Sequence, residues 1–278
     1  MNAPAAVLAL VLAMTAVGSS WLLWAGPTFG AVRHGYEVLT GSTVVLLGWA
    51  AWASLAGPLL SLEGSASAAD GVLARRLLLA FAVLTVIAVL LRLLRVPPVA
   101  ARVAGIAASL AGTAAYVPIA SIRAAGDGVG GVPQGVIELV LGTVLLGSIW
   151  VGMILGHWYL VERRLSNRYM VWIAWVNVGA VVAGVASVLL SARSPLPCEG
   201  LTGAAFETCV RTFSPILNIG SMTIVLGIGV LALIALIAGF NVRLAREGGR
   251  SIQASTGMFY LAVILAPAAE FAAKVRFF

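Results

Sequence analysis

The chain has 278 residues, of which 61% are hydrophobic and only 10% charged, with a mean hydropathy of +1.06. No water-soluble domain of this length carries so little charge, so lipid is the solvent and all-α the fold class: backbone groups in a bilayer must bond within their own segment, and crossing it takes about 20 apolar residues. The net charge of +7 does not point to nucleic acid, because the basic residues sit mainly in loops and no basic run is interleaved with stacking aromatics.

Eight apolar stretches predict one bundle of eight transmembrane helices, over residues 5–24, 37–60, 76–96, 99–122, 134–161, 170–190, 214–240 and 255–274. The first resembles a secretory leader in its small residues, but no Lys or Arg precedes Arg33 and the run is long enough to span, so a retained helix is expected. Turn signals separate the stretches: Gly26-Pro27, the Gly/Ser/Ala segment 63–71, Pro97-Pro98 and the Gly-rich segment 126–133. No linker is long enough to separate a pair of soluble domains. No pair of broken helices occupies matching positions in the two halves, which weakens the case for a transporter built from inverted repeats.

Orientation follows from two short loops. Residues 162–169 contain Arg163, Arg164 and Arg168, and residues 241–250 contain Arg243, Arg246 and Arg250. Such loops stay in the cytoplasm, which puts the N-terminus outside and Arg33, Arg92, Arg95 and Arg102 inside, as in a bacterial-type cytoplasmic (inner) membrane. The two cysteines, Cys198 and Cys209, share the loop after the sixth helix, which is then exterior. A disulfide closing a small hairpin around Gly200 is expected there; that loop has no histidine, so metal binding is not.

Charged residues within a span cost roughly 2.5–3.5 kcal/mol on insertion scales. Glu37, Arg92, Glu138, His157, Asn177, Asn218 and Glu270 are the polar groups that call for a reason. The fifth helix closes on Gly152-Met153-Ile154-Leu155-Gly156-His157-Trp158-Tyr159-Leu160, where Gly152 and Gly156 allow a neighbouring helix to approach closely. Glu138 lies nineteen residues before His157, about 28 Å along a helix, so the two mark opposite ends of the bundle. His157, Trp158 and Tyr159 read either as an interfacial belt or as a quinone site, with His157 bonding a carbonyl and Trp158 or Tyr159 packing on the ring. A b-type haem between His34 and His157 is a third reading, weakened because His34 falls in a connection. In the last helix Glu270 and Lys274 stand at the spacing of an ion pair, worth about 0.2–0.5 kcal/mol in water, and read as a helix end that snorkels to the outer surface.

The last helix, with Glu270, Lys274 four residues on and then Phe277 and Phe278, resembles that of the membrane anchor subunit of dimethyl sulfoxide reductase. The glycine-rich fifth helix running into His157-Trp158-Tyr159 is similar too, as are the length, helix count and outside N-terminus. The resemblance implies a subunit of a respiratory complex that binds quinol in the bundle and passes electrons to an iron–sulfur partner docked outside. The end of the second helix, Ala56 to Glu63, lacks the histidine that such an anchor carries near its quinol, so proton chemistry would fall to Glu63, Glu138, Glu270 or His157. The candidate site residues are therefore Glu138, His157, Trp158, Tyr159, Glu270 and Lys274, with quinone as the expected cofactor. Alternatives are a small-molecule or ion transporter and a b-type cytochrome. The chain has no Cys-rich cluster motif, dinucleotide fingerprint or P-loop. A hydrolase is not indicated, since Ser148 and His157 have no evident third partner, and neither is a retinal protein, since the single lysine ends a helix.

Overall fold

The computed structural model describes residues 4–26, 34–127, 131–162, 165–194, 198–213, 220–275 and 277. Arg33, Arg163, Arg164, Asn218, Phe278 and the start of the predicted seventh span lie outside them. The helices are α1 Pro4–Ala25, α2 His34–Leu60, α3 Ala68–Leu93, α4 Pro98–Ala114, α5 Tyr116–Asp127, α6 Gly131–Val161, α7 Arg168–Ser191, α8 Gly203–Phe213, α9 Gly220–Glu247 and α10 Ser251–Lys274. Among the described residues eight helices are long and apolar enough to cross a membrane, α4 and α5 together forming one crossing from Pro98 to Ala125. The chain is a polytopic helical bundle.

Two helices form its centre. α1 packs on α2, α4 and α6, while α6 packs in addition on α5, α7 and α10. Within its apolar window 78% of α1 is buried, against 28% for α2, so α1 is a core element of the bundle. Its composition explains this: apolar and small residues cover every face, and small residues let helix backbones come close where lipid offers no hydrophobic drive to associate. At Gly18 a Cβ would stand 2.1 Å from the carbonyl oxygen of Thr143 on α6, a spacing that only glycine permits. Side chains finish the seam with α4, where the Trp21 indole donates to Thr113 Oγ1 at 3.0 Å and Ser20 and Ser109 share a hydrogen bond of 2.7 Å.

Three departures from the sequence reading go beyond a shift of a few residues at a helix end. α3 begins at Ala68, not at residue 76, because a helix need not stop where the hydrocarbon does: Arg75 and Arg76 lie inside it. The predicted single helix over 99–122 is broken at Ala115, three residues before Pro118, whose ring nitrogen has no hydrogen for the Ala114 carbonyl. The chain restarts as α5 and carries Arg123 back into the bundle. α9 continues past the expected residue 240 to Glu247.

The Cys198–Cys209 disulfide is present, with Cα atoms 5.8 Å apart. Its loop is not the expected hairpin, for the segment includes α8, about three turns with one apolar edge. Cys198, Cys209 and Val210 pack on Val7 of α1 and on Phe271 and Val275 at the end of α10. The disulfide therefore pins a small cap on the end of the bundle opposite the loop 248–250.

Candidate functional site

Beneath that cap four charged side chains meet inside the protein. Arg123 of α5, Glu138 of α6 and Glu270 and Lys274 of α10 are 3%, 0%, 0% and 0% exposed. Glu138 is the hub: its Oε2 accepts from Arg123 Nη1 at 3.0 Å, and its Oε1 accepts from Lys274 Nζ at 3.1 Å. Lys274 also reaches Glu270 Oε2 at 3.3 Å and donates to the Ser187 hydroxyl at 2.8 Å, which uses all three of its protons. Arg123 donates through Nη2 to Ser194 and lies over the Phe277 ring, 4.7 Å from its centroid. Two cations and two carboxylates give the tetrad no net charge, the condition for tolerating ions away from water.

The surrounding backbone is shaped to admit these groups. Ser187 and Ser191 stand one turn apart on α7, so both face the same neighbour, and Ser194 follows just past the helix end. The Ser191 hydroxyl lies 2.6 Å from both Glu138 Oε1 and the Ala273 carbonyl oxygen, and its single proton serves one of them. Gly142 leaves room for the Glu270 carboxylate, since a Cβ there would stand 2.4 Å from Oε2. Two buried atoms of the tetrad have no partner among the described residues: Glu270 Oε1 and Arg123 Nε.

Of the sequence candidates, Glu138, Glu270 and Lys274 are thus brought together. The i,i+4 pair is present, but the snorkelling expected of it is overturned, because Glu138 draws Lys274 inward and Phe277 and the cap close over the helix end. Arg123, Ser187, Ser191 and Ser194 complete the cluster and were not singled out from sequence. Glu63 stands exposed in the α2–α3 turn, away from it.

The opposite end of α6 is built differently. Gly152 and Gly156 receive Phe259 and Thr256 of α10, the close approach that their spacing predicts. One turn beyond Thr256, the Tyr260 hydroxyl lies 3.4 Å from His157 Nδ1, and both residues are exposed on the flank of the bundle. Trp158 and Tyr159 do not join them. The Trp158 ring packs over Gly35 of α2, and Tyr159 is buried and donates its hydroxyl proton to the Ser166 carbonyl oxygen. Consecutive residues on a helix point about 100° apart, so three in a row cannot face one ligand. His34 is the first residue of α2 and is exposed; nearby, Glu37 and Arg92 form an ion pair. Asn177 is buried and donates to Ser148 Oγ at 3.1 Å, tying α7 to α6.

Glu138 and His157 occupy opposite ends of one helix, one sealed and the other open at the bundle surface. Comparison with protein-family models, with curated proteins and with solved structures finds no match to this chain.

Proposed function

We propose that the chain is a quinone-interacting membrane subunit of an electron-transfer complex, with His157 holding an oxygen of the quinone ring and Tyr260 fixing the orientation of the imidazole. The observation that carries this reading is the His157–Tyr260 pair itself: an imidazole nitrogen and a phenol hydroxyl 3.4 Å apart on the exposed flank where α6 meets α10. A lipid-soluble ring can reach this flank from the bilayer without opening the core. His157 Nδ1 faces the tyrosine hydroxyl, which leaves Nε2 for the ligand, and an imidazole nitrogen can accept and return a proton. When bound, a quinol supplies two electrons and two protons; an iron–sulfur partner outside this chain is the proposed acceptor of the electrons. The test is titration of the purified protein with a short-chain quinone, followed by tryptophan quenching. His157→Ala and Tyr260→Phe should each weaken binding by up to about tenfold, the worth of one hydrogen bond. Unchanged binding in both variants would refute the assignment.

A second reading, an ion-coupled transporter, is favoured by one feature of the sealed end. Glu270 Oε1 is a buried carboxylate oxygen with no donor in a network that otherwise fills its acceptors, and ionisable groups at membrane depth often mark ion paths. Proton flux into vesicles holding the purified protein, abolished by Glu270→Gln, would establish transport; vesicles no leakier than empty ones would exclude it.

A further inference from the structure

The hairpin of α2 and α3 bears a second cluster of charge that none of these readings uses. A cavity of 240 Å³ opens between the two helices beside the turn 61–67, lined by Trp52, Leu59, Glu63, Arg75, Arg76 and Leu79 among others. Arg75 lies over the Trp52 ring, 5.8 Å from its centroid. Among the described residues none of Arg75, Arg76 and Glu63 has an ion-pair partner, whereas Arg92 and Arg123 are paired with Glu37 and Glu138. One wall of the cavity thus offers two guanidinium groups, and the turn offers a carboxylate.

Depth identifies what meets them. Sixteen residues separate Arg76 from Arg92 on α3, about 24 Å along the axis, and the arginine stems add a few ångström at each end. That matches a hydrocarbon core of roughly 30 Å, so Arg75 and Arg76 stand where lipid phosphates lie, and the first turns of α3 project among the head groups. The mouth is flanked by Leu60 and Val72, 40% and 43% exposed, a surface suited to acyl chains.

We propose that this cavity is a phospholipid site, in which Arg75 and Arg76 hold the phosphodiester and Glu63 takes the ammonium of an ethanolamine head group. Guanidinium groups suit the phosphate because their fixed fork of donors matches its oxygens. Glu63 makes the site selective: it attracts the ammonium of ethanolamine, whereas the glycerol of phosphatidylglycerol offers it no charge.

The experiment is native mass spectrometry of the delipidated protein with phosphatidylethanolamine, with phosphatidylglycerol of the same chains, and with soluble glycerophosphoethanolamine. The wild type should retain one phosphatidylethanolamine in preference to phosphatidylglycerol. Replacing both arginines, Arg75→Gln with Arg76→Gln, should lower occupancy by at least about tenfold, since two charge-assisted bonds are lost, while the Lys pair restores some of it. Glu63→Gln should erase the preference between the two lipids and leave phosphatidylglycerol binding intact. Lipid retention by the Gln pair equal to wild type would overturn the site. Equal wild-type affinity for the two lipids would overturn the role of Glu63, and tight binding of the soluble compound alone would replace the lipid with a free phosphodiester.

Discussion

Lys274 is the joint of the buried tetrad, and Lys274→Met is the substitution that tests it. The change preserves length and most of the volume but removes the cation that lies 3.1 Å from Glu138 and 3.3 Å from Glu270. Glu138 keeps Arg123 and Ser191. Glu270 is left with Ser187 alone, 3.4 Å from Oε2, and with Oε1 already without a donor. A neutral cluster becomes one of net charge −1 inside the protein, and breaking a buried pair by deleting one partner costs about 3–5 kcal/mol. The companion Lys274→Met with Glu270→Gln restores neutrality, leaving the Arg123–Glu138 pair intact, and should recover about half of that loss. Reversible unfolding in mixed micelles gives both numbers. A cost below about 1 kcal/mol for the single change, or a double variant no more stable than the single, would refute the view that uncompensated charge dominates at this site.

Three further outcomes follow from packing. Gly18→Val should destabilise by about 3 kcal/mol or more, because the new Cβ meets the Thr143 carbonyl oxygen at 2.1 Å and backbone cannot yield as a side chain does; Gly179→Val, where no atom lies within 4 Å, should leave the melting temperature of the detergent-solubilised protein nearly unchanged. Replacing Cys198 and Cys209 by Ser opens a loop with a sequence separation of 11 and should cost about 2–3 kcal/mol. Hydrogen exchange should then rise across 198–213 and stay flat in α1 and α6; a uniform rise would contradict a pinned cap. Tyr116→Phe removes the partner of Thr143 Oγ1, 2.6 Å away inside the bundle, and should cost about 1 kcal/mol, read by the same melts.

The eight crossings were legible because the bilayer imposes one length and one polarity on each span, so composition alone reveals them. The Glu270–Lys274 pair was legible as well, since helical spacing fixes which residues meet along one axis. What sequence could not supply was the third dimension. Arg123 falls one residue beyond the predicted end of its span, where arginine is ordinary, and only the break at Ala115 and the packing of α5 on α6 turn it inward. Ser187 and Ser191 carry no distinguishing signal because serine is tolerated in membrane helices whether or not it serves a charge. Tyr260 was missed for the opposite reason: its role depends on the glycine steps of another helix, and the pairing of two helices is not written in either one. α8 escaped notice because a short helix with one apolar edge has neither the length nor the hydropathy of a span.

The way the tetrad is divided along the chain bears on how it enters the bilayer. Arg123 and Glu138 belong to successive helices joined by a short connection, and Glu270 and Lys274 share one helix. Glu270 and Lys274 cancel within a single segment, whereas Arg123 and Glu138 cancel once the adjacent helices α5 and α6 have paired, so each couple is electrically silent before the last helix docks. The bond from Lys274 to Glu138 joins the two couples only when α10 settles against α6, and the charges of the final helix thereby act as the latch that records completed assembly.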